Sequence, residues 1–323
     1  MREDGGMSRS PSIVSGDTAI SRGVDALAAG QLVGMPTETV YGLAADAANP
    51  AAVAQVFAAK SRPSFNPLIA HVASIALASE EGVLDKRAAL LAGAFWPGPL
   101  TLVVPAGPGG RTCELARAGL STIGLRMPAH PLAQALLSAH GGPLAAPSAN
   151  PSGRLSPTRA EDVANAFGSE VSMVIDGGPC EAGIESSIVA ALPDQPLRML
   201  RPGAISRESL EAVAGPIEDD DGSNVTAPGQ LASHYAPNAA IRLNAIDASD
   251  TEVLLGFGPD APSGVLNLSY SGDVIEAAAN LYRMLREADA TGATAIAVMP
   301  VPDEGVGEAI NDRLNRAAVP RGD

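Results

Sequence analysis

Residues 17–216 read as one α/β domain with a mixed sheet, and the chain beyond a polar linker reads as a second, smaller α/β unit. Three observations predict this. Helix-spaced and strand-like apolar segments alternate along the chain, the pattern of sheets covered by helices. Some neighbouring strands lack a helix between them, so the first sheet should contain antiparallel as well as parallel pairs. The segment IEDDDGSNVTAPGQLASHYAP, within 217–238, is acidic, Gly-rich and Pro-bounded, as a linker is.

The elements follow in order. The opening MREDGGMSRSPS lacks the apolar middle of a secretory signal, and 1–16 reads as a flexible tail. Helical spacing runs from Thr18 to Ala29, with Asp17 as N-cap and Gly30 as the stop. Strands are expected at 31–35, 68–73, 100–105, 121–127, 143–147, 171–176, 186–192 and 197–201. Helices are expected near 50–60 and at 85–95, 130–139, 158–167 and 206–214, the last ending at Gly215-Pro216. Beyond the linker, 239–323 offers IRLNAI, TEVLLGF, GVLNLS and AIAVMPV as strands, with helices at 273–290 and 304–318.

Composition excludes several classes. No run of eighteen apolar residues suggests a membrane span, and the expected setting is soluble and cytoplasmic. Cys113 and Cys180 are too few for a disulfide framework and lack metal-ligand spacing. The net charge is −15, with 15 basic and 19 acidic side chains over 1–216 (−4) against 6 and 17 over 217–323 (−11). A chain this acidic is a poor partner for nucleic-acid phosphates, although a small anion could still find a local pocket. The phosphate loop G-x-x-x-x-G-K-[ST] and the nucleophile elbow G-x-S-x-G are absent, and Gly256-Phe257-Gly258 lacks the third glycine of a dinucleotide turn. His71, His130, His140 and His234 show no zinc spacing.

What remains is a set of short polar clusters at strand ends, where open α/β sheets bind ligands. In KSRPSFNPLIAH (60–71), Pro63 and Pro67 stiffen the chain, and Lys60 and Arg62 are expected on an exposed connection. Only two of the 21 basic residues are lysines, so a point charge at 60 stands out in an arginine-rich chain. MPTETVYGL (35–43) gathers the hydroxyls of Thr37, Thr39 and Tyr41 around one acid. STIGLRMPAH (121–130) puts Thr122 and Arg126 on one strand face. Small hydroxyl and amide groups follow in APSANPSGRLSP (146–157) and GIESSIV (183–189), and LRPG (200–203) ends a strand with Arg201. Each cluster has an ordinary alternative: SANPSG as a turn, Arg126 as an edge ion pair, His71 as a satisfied core histidine, Trp96 as a core anchor. Together they suit a polyphosphate held beside a small polar partner, with catalysis by positioning and charge stabilisation.

Taken in order, PTETVYGL, KSRPSFNPL with His71, WPGPLT, the T-x-x-x-R of STIGLRMP, PSANPSG, ESSIV and LRPG resemble the Sua5/YrdC/YwlC family, and HYAP with a domain beyond it resembles the long Sua5 form. The resemblance implies a YrdC-like domain with a twisted mixed sheet and flanking helices, plus a smaller Rossmann-like α/β C-terminal domain. It implies a nucleotidyltransferase that condenses L-threonine, bicarbonate and ATP to L-threonylcarbamoyladenylate and pyrophosphate, for the t6A modification of tRNA. By motif, Thr39, His71, Arg126 and Ser186 would contact threonine. Lys60, Arg62, Asn66, Thr122, Ser148, Ser156 and Arg201 would line the ATP side, with Lys60 and Arg62 catalytic and Tyr235 closing the linker over the nucleotide as a lid. Mg²⁺ would arrive with ATP, and a downstream tRNA threonylcarbamoyl transferase would take the product. Ser187 stands where the family usually has threonine, and one extra residue before LRPG leaves the register of Ser186 against Ser187 open. Two other readings stay open: a non-catalytic RNA-binding module, against which the acidity argues, and a carbamoyltransferase-type enzyme using ready-made carbamoyl phosphate.

Overall fold

The computed structural model describes residues 11–220, 227–229 and 234–320. The first unit is built on an eleven-stranded mixed sheet. Its strands are β1 (Ser12–Val14), β2 (Val33–Met35), β3 (Gly42–Asp46), β4 (Ile69–His71), β5 (Leu100–Pro105), β6 (Thr122–Arg126), β7 (Leu144–Ala145), β8 (Met173–Ile175), β9 (Ser187–Ala190), β10 (Leu197–Arg201) and β11 (Ile217–Asp219). They lie in the order β1-β8-β2-β3-β7-β4-β6-β5-β9-β10-β11. Parallel pairs such as β4/β6 and β5/β9 alternate with antiparallel ones such as β3/β7 and β5/β6, as the missing crossover helices predict.

The helices are α1 (Thr18–Ala28), α2 (Pro50–Lys60), α3 (Ile75–Glu81), α4 (Lys86–Phe95), α5 (Pro131–His140), α6 (Ala160–Phe167) and α7 (Arg207–Ala214). Their ends obey local chemistry. At α2 the Asn49 side chain accepts from the amides of Ala51 and Ala52, Pro50 occupies the first turn, and Ser61 closes the helix in the left-handed region at φ 49°. Asp17 sits at the start of α1 but makes no capping bond, because its own backbone is already helical. Gly30, at φ +73°, ends α1 as expected.

The sheet's two faces are covered differently. Leu102 and Val104 of β5 pack with Ala88, Leu91 and Trp96 beneath α4. Trp96 is thus a core anchor, its Nε1 donating to the carbonyl of Leu100 at 2.7 Å. Val103, one residue off, joins Ile69, Ile188 and Leu200 on the opposite face, where Ala227 of the linker covers them.

Strand β1 lies within the expected tail, paired parallel with β8, because Ile13 and Val14 complete a sheet edge that sequence distance hides. Strand β11 lies within the expected linker, paired parallel with β10 through Ile217, so the first domain extends past residue 216. Strand β3 and helix α3 had no counterpart in the sequence reading. The rest of the linker expectation falls partly on 221–226 and 230–233, and those residues, like 1–10 and 321–323, lie outside the described residues.

The second unit contains β12 (Ala240–Arg242), β13 (Glu252–Gly256), β14 (Leu266–Asn267), α8 (Val274–Asp289), β15 (Ala295–Val298) and α9 (Gly307–Ala318). Its four strands are all parallel in the order β12-β15-β13-β14. The two units share a core, since Val40, Leu155 and Ile184 pack with Ala278, Leu281 and Tyr282 of α8. Gly183, at φ +64°, permits that contact; a Cβ there would stand 2.5 Å from the Ala279 backbone.

Candidate functional site

Beside the Ile69–Ile188 face of the sheet lies a partly enclosed hollow. Period-two alternation aims Ile69 and His71 of β4 into it, and Arg126 enters from the end of β6. The hollow therefore lies over the face of the sheet, and not only at strand ends as expected. Thr37 and Thr39 follow β2, Ser148 follows β7, Ser186 precedes β9, Arg62 follows α2 and Arg201 ends β10; all line the same space, and Pro228, Gly229, His234 and Tyr235 roof it. A wider hollow beside Arg154, Arg286 and Asp289 is more open. Its charges are largely consumed by neighbours: Arg286 donates to the carbonyls of Leu155 and Ser156, and Asp289 accepts from Asn238.

Local chemistry fixes each wall. The Thr37 hydroxyl accepts from the amides of Thr39 and Val40, a turn that presents the Thr39 hydroxyl 2.9 Å from its own. Tyr41 does not join this group as the sequence suggested; its hydroxyl donates to the Gly178 carbonyl at 2.8 Å. Arg126 Nη2 donates to Glu38 Oε1 at 2.7 Å, the amide of Ala129 holds the other Glu38 oxygen, and Arg126 Nε has no hydrogen-bond partner in the protein. Burial pushes the Glu38 carboxyl up, but the Arg126 guanidinium, together with backbone amides that include Ala129, more than reverses it, leaving the group below its ordinary value.

Arg201 donates to the Ser186 carbonyl at 2.9 Å, and Ser186 Oγ pairs with Thr101 Oγ1 at 2.8 Å. Ser187 turns away, its hydroxyl donating to the Ile205 carbonyl at 2.6 Å, so Ser186 is the one that faces the hollow. Gly203 is required at this crossing, because a Cβ there would lie 2.3 Å from the Ser186 carbonyl carbon.

The expected exposed connection at 60–62 is instead buried. Lys60 is 1% exposed and Arg62 9%, because α2 carries Lys60 inward on the same stripe as Val53, Val56 and Phe57. Lys60 Nζ donates to the carbonyls of Ser148 (2.5 Å) and Asn150, behind the loop that forms the wall. Burial, and then the Arg62 charge, push its pKa well below the ordinary lysine value. Arg62 is gripped by the side chain and carbonyl of Asn66. Three further residues named from sequence stand outside the wall: Asn66 behind Arg62, Ser156 behind Glu185 at 2.5 Å, and half-buried Thr122 four residues from Arg126 on β6. The sequence reading missed Glu185, Tyr282 and Arg313, which meet at one edge of the hollow.

His71 and His234 are uncharged rings. Burial holds each down to about 3, helped by Arg126 at His71, and at His234 opposed by Glu185 and then reinforced by Lys60, Arg62 and Arg313. An unfolded histidine takes a proton near pH 6.5, so between there and pH 3 the unfolded chain binds more protons and stability must rise with pH. Urea midpoints are therefore expected to be flat above about pH 7 and to fall below 6.5. Each ring contributes a loss of up to about 1.4 kcal/mol per pH unit. A midpoint unchanged between pH 7 and 5 would contradict neutral burial.

A family profile described as Telomere recombination matches residues 25–203, and one described as the C-terminal domain of threonylcarbamoyl-AMP synthase matches 205–319. A Bacillus subtilis (strain 168) protein named threonylcarbamoyl-AMP synthase is 39% identical, over 94% of this chain and 93% of its own. A protein of the same name from Pyrococcus abyssi is 38% identical, over 90% and 91%. Among solved structures, P. abyssi Sua5 complexed with L-threonine superposes with a TM-score of 0.85 at 33% identity, covering 95% of this chain and 97% of its own.

Proposed function

Because this chain belongs to the Sua5/YciO/YrdC family, with a Sua5-type C-terminal domain, we propose that it is a threonylcarbamoyl-AMP synthase acting on L-threonine, bicarbonate and ATP. One observation supports this above others: Arg62, Arg126 and Arg201 reach a single hollow together with Thr39, Ser148 and Ser186. Three guanidiniums and several hydroxyls suit an amino-acid carboxylate beside a triphosphate.

In this reading Arg126 takes the threonine carboxylate through the donors that Glu38 leaves open, and Thr39 and Ser186 meet its polar groups. Neutral His71 adds no charge next to the amine. Bicarbonate loses hydroxide to give CO2, the unprotonated amine adds to that CO2 so that the N–C bond forms, and the proton the nitrogen sheds joins the hydroxide as water. A carbamate oxygen then attacks the α-phosphorus, the bond from that phosphorus to the bridging oxygen breaks, and pyrophosphate departs. Arg62 and Arg201 oppose the charge that grows on the phosphates. Glu185 is the one carboxylate in the wall among the described residues, and its oxygens are already held by Arg313, Tyr282 and Ser156. In this reading Mg²⁺ would arrive with the substrate as its ATP complex.

The product, an acyl-adenylate, would pass to a tRNA threonylcarbamoyl transferase. No helix among the described residues is long and apolar enough to cross a membrane, in keeping with a cytoplasmic enzyme. Purified protein mixed with MgATP, threonine and bicarbonate should give threonylcarbamoyl-AMP by mass spectrometry, with equimolar pyrophosphate. Pyrophosphate release that ignores threonine or bicarbonate would reject the assignment.

A further inference from the structure

Glu185 is out of character in this wall. Every other charged side chain lining the hollow, among the described residues, is a guanidinium, and an unbalanced carboxylate would repel a triphosphate across a poorly solvated gap. The second domain balances it. Arg313 Nε of α9 donates to Glu185 Oε2 at 2.8 Å, and the Tyr282 hydroxyl of α8 lies 3.0 Å from both oxygens. The same guanidinium donates to the Pro202 carbonyl at 3.0 Å, next to Arg201, and stands 4.9 Å from the centre of the Tyr235 ring. One side chain from the second domain therefore touches the carboxylate, the turn after β10 and the roof, while its Nη1 also meets Asp312, whose other oxygen accepts from Arg316. Arg201 is the nearest alternative cation in the wall, and its bonds go to Ser186 and Pro228. Burial pushes the Glu185 carboxyl up, and Arg313 followed by Arg201 pull it down to about 2, so it is ionised at neutral pH.

We propose that Arg313 is a positioning residue for the nucleotide: it cancels the Glu185 charge inside the hollow, so that the second domain completes the ATP site. This rests on the ATP reading above. The test is equilibrium binding of ATP, by calorimetry and without turnover, to the full chain and to three variants: R313M, E185Q and E185Q/R313M.

Arg313→Met removes the one guanidinium bonded to the carboxylate and leaves it the hydroxyls of Tyr282 and Ser156 and the field of Arg201, and ATP binding should weaken at least tenfold, with threonine affinity changed less than threefold. Removing both charges should recover ATP affinity to within about fivefold of the parent. A purely structural Arg313 predicts the opposite, because the double variant lacks the guanidinium too and would bind ATP as poorly as R313M. That result overturns the proposal, as does an R313M that binds ATP as the parent does. Should R313M fail to fold, the comparison of E185Q/R313M with the parent still decides, since only charge cancellation predicts a competent double variant. If the parent bound no ATP, the proposed function would fall, and this inference with it.

Discussion

Replacing Arg126 with methionine is expected to lower kcat/KM for L-threonine by a factor of roughly 10²–10³. The side chain is 4% exposed and one donor, Nη2, is spent on Glu38, while Nε has no partner. Those spare donors are what a carboxylate would take. Removing one member of a buried, hydrogen-bonded charge pair costs about 3–5 kcal/mol, because the remaining charge stays buried. The same loss should appear in folding: without the guanidinium, burial dominates at Glu38 and pushes its carboxyl up, so urea stability should fall as well. Glu38→Gln combined with Arg126→Met separates the two effects. The double variant should regain most of the stability and none of the threonine affinity. Recovery of threonine turnover by the double variant would show that Arg126 only shields Glu38.

Much of this fold can be read from local pattern, and the failures share a cause. Alternating apolar spacing identifies β5, β6 and β10, and Asn49-Pro50 marks the start of α2, because those signals lie within a few residues. Strand β1 was missed because its partner lies some 160 residues away, at Met173–Ile175. Strand β3 was missed because GLAAD lacks the β-branched side chains that mark strands. The motif residues Thr39, His71, Arg126 and Arg201 do meet, yet their meeting depends on strand order, which no motif spells out.

Two of the buried cations, both within helices, carry a subtler signal. Lys60 continues the stripe Val53, Val56, Phe57 at helical spacing, and Arg313 interrupts the stripe Ile310, Leu314, Ala317 in the same way. A charge on the buried stripe of a helix must find a polar partner inside the protein. Read that way, the sequence points to both as inward-facing. What it cannot supply is the partner, since Glu185 lies 128 residues from Arg313 and the Ser148 carbonyl 88 from Lys60.

For Lys60 the identity of the partner decides the prediction. Its ammonium holds two carbonyls of the loop from Ala146 to Asn150, and Ala146, Pro147 and Ser148 line the hollow. Lys60→Met leaves those carbonyls without their donor, each worth about 1–3 kcal/mol. Part of this is offset in the folded state, because methionine removes the cost of burying an ammonium. Stability should therefore drop less than activity. Turnover at fixed substrate is expected to fall roughly a hundredfold, or about 2.7 kcal/mol, with the affinities for threonine and ATP both weakened. A lysine that touched the phosphates directly would behave differently: ATP affinity alone would fall, and threonine binding to the nucleotide-free protein would match the parent. Calorimetric titration of K60M with each substrate in turn therefore distinguishes a brace behind the wall from a cation within it, and loss of threonine binding is the result the buried geometry requires.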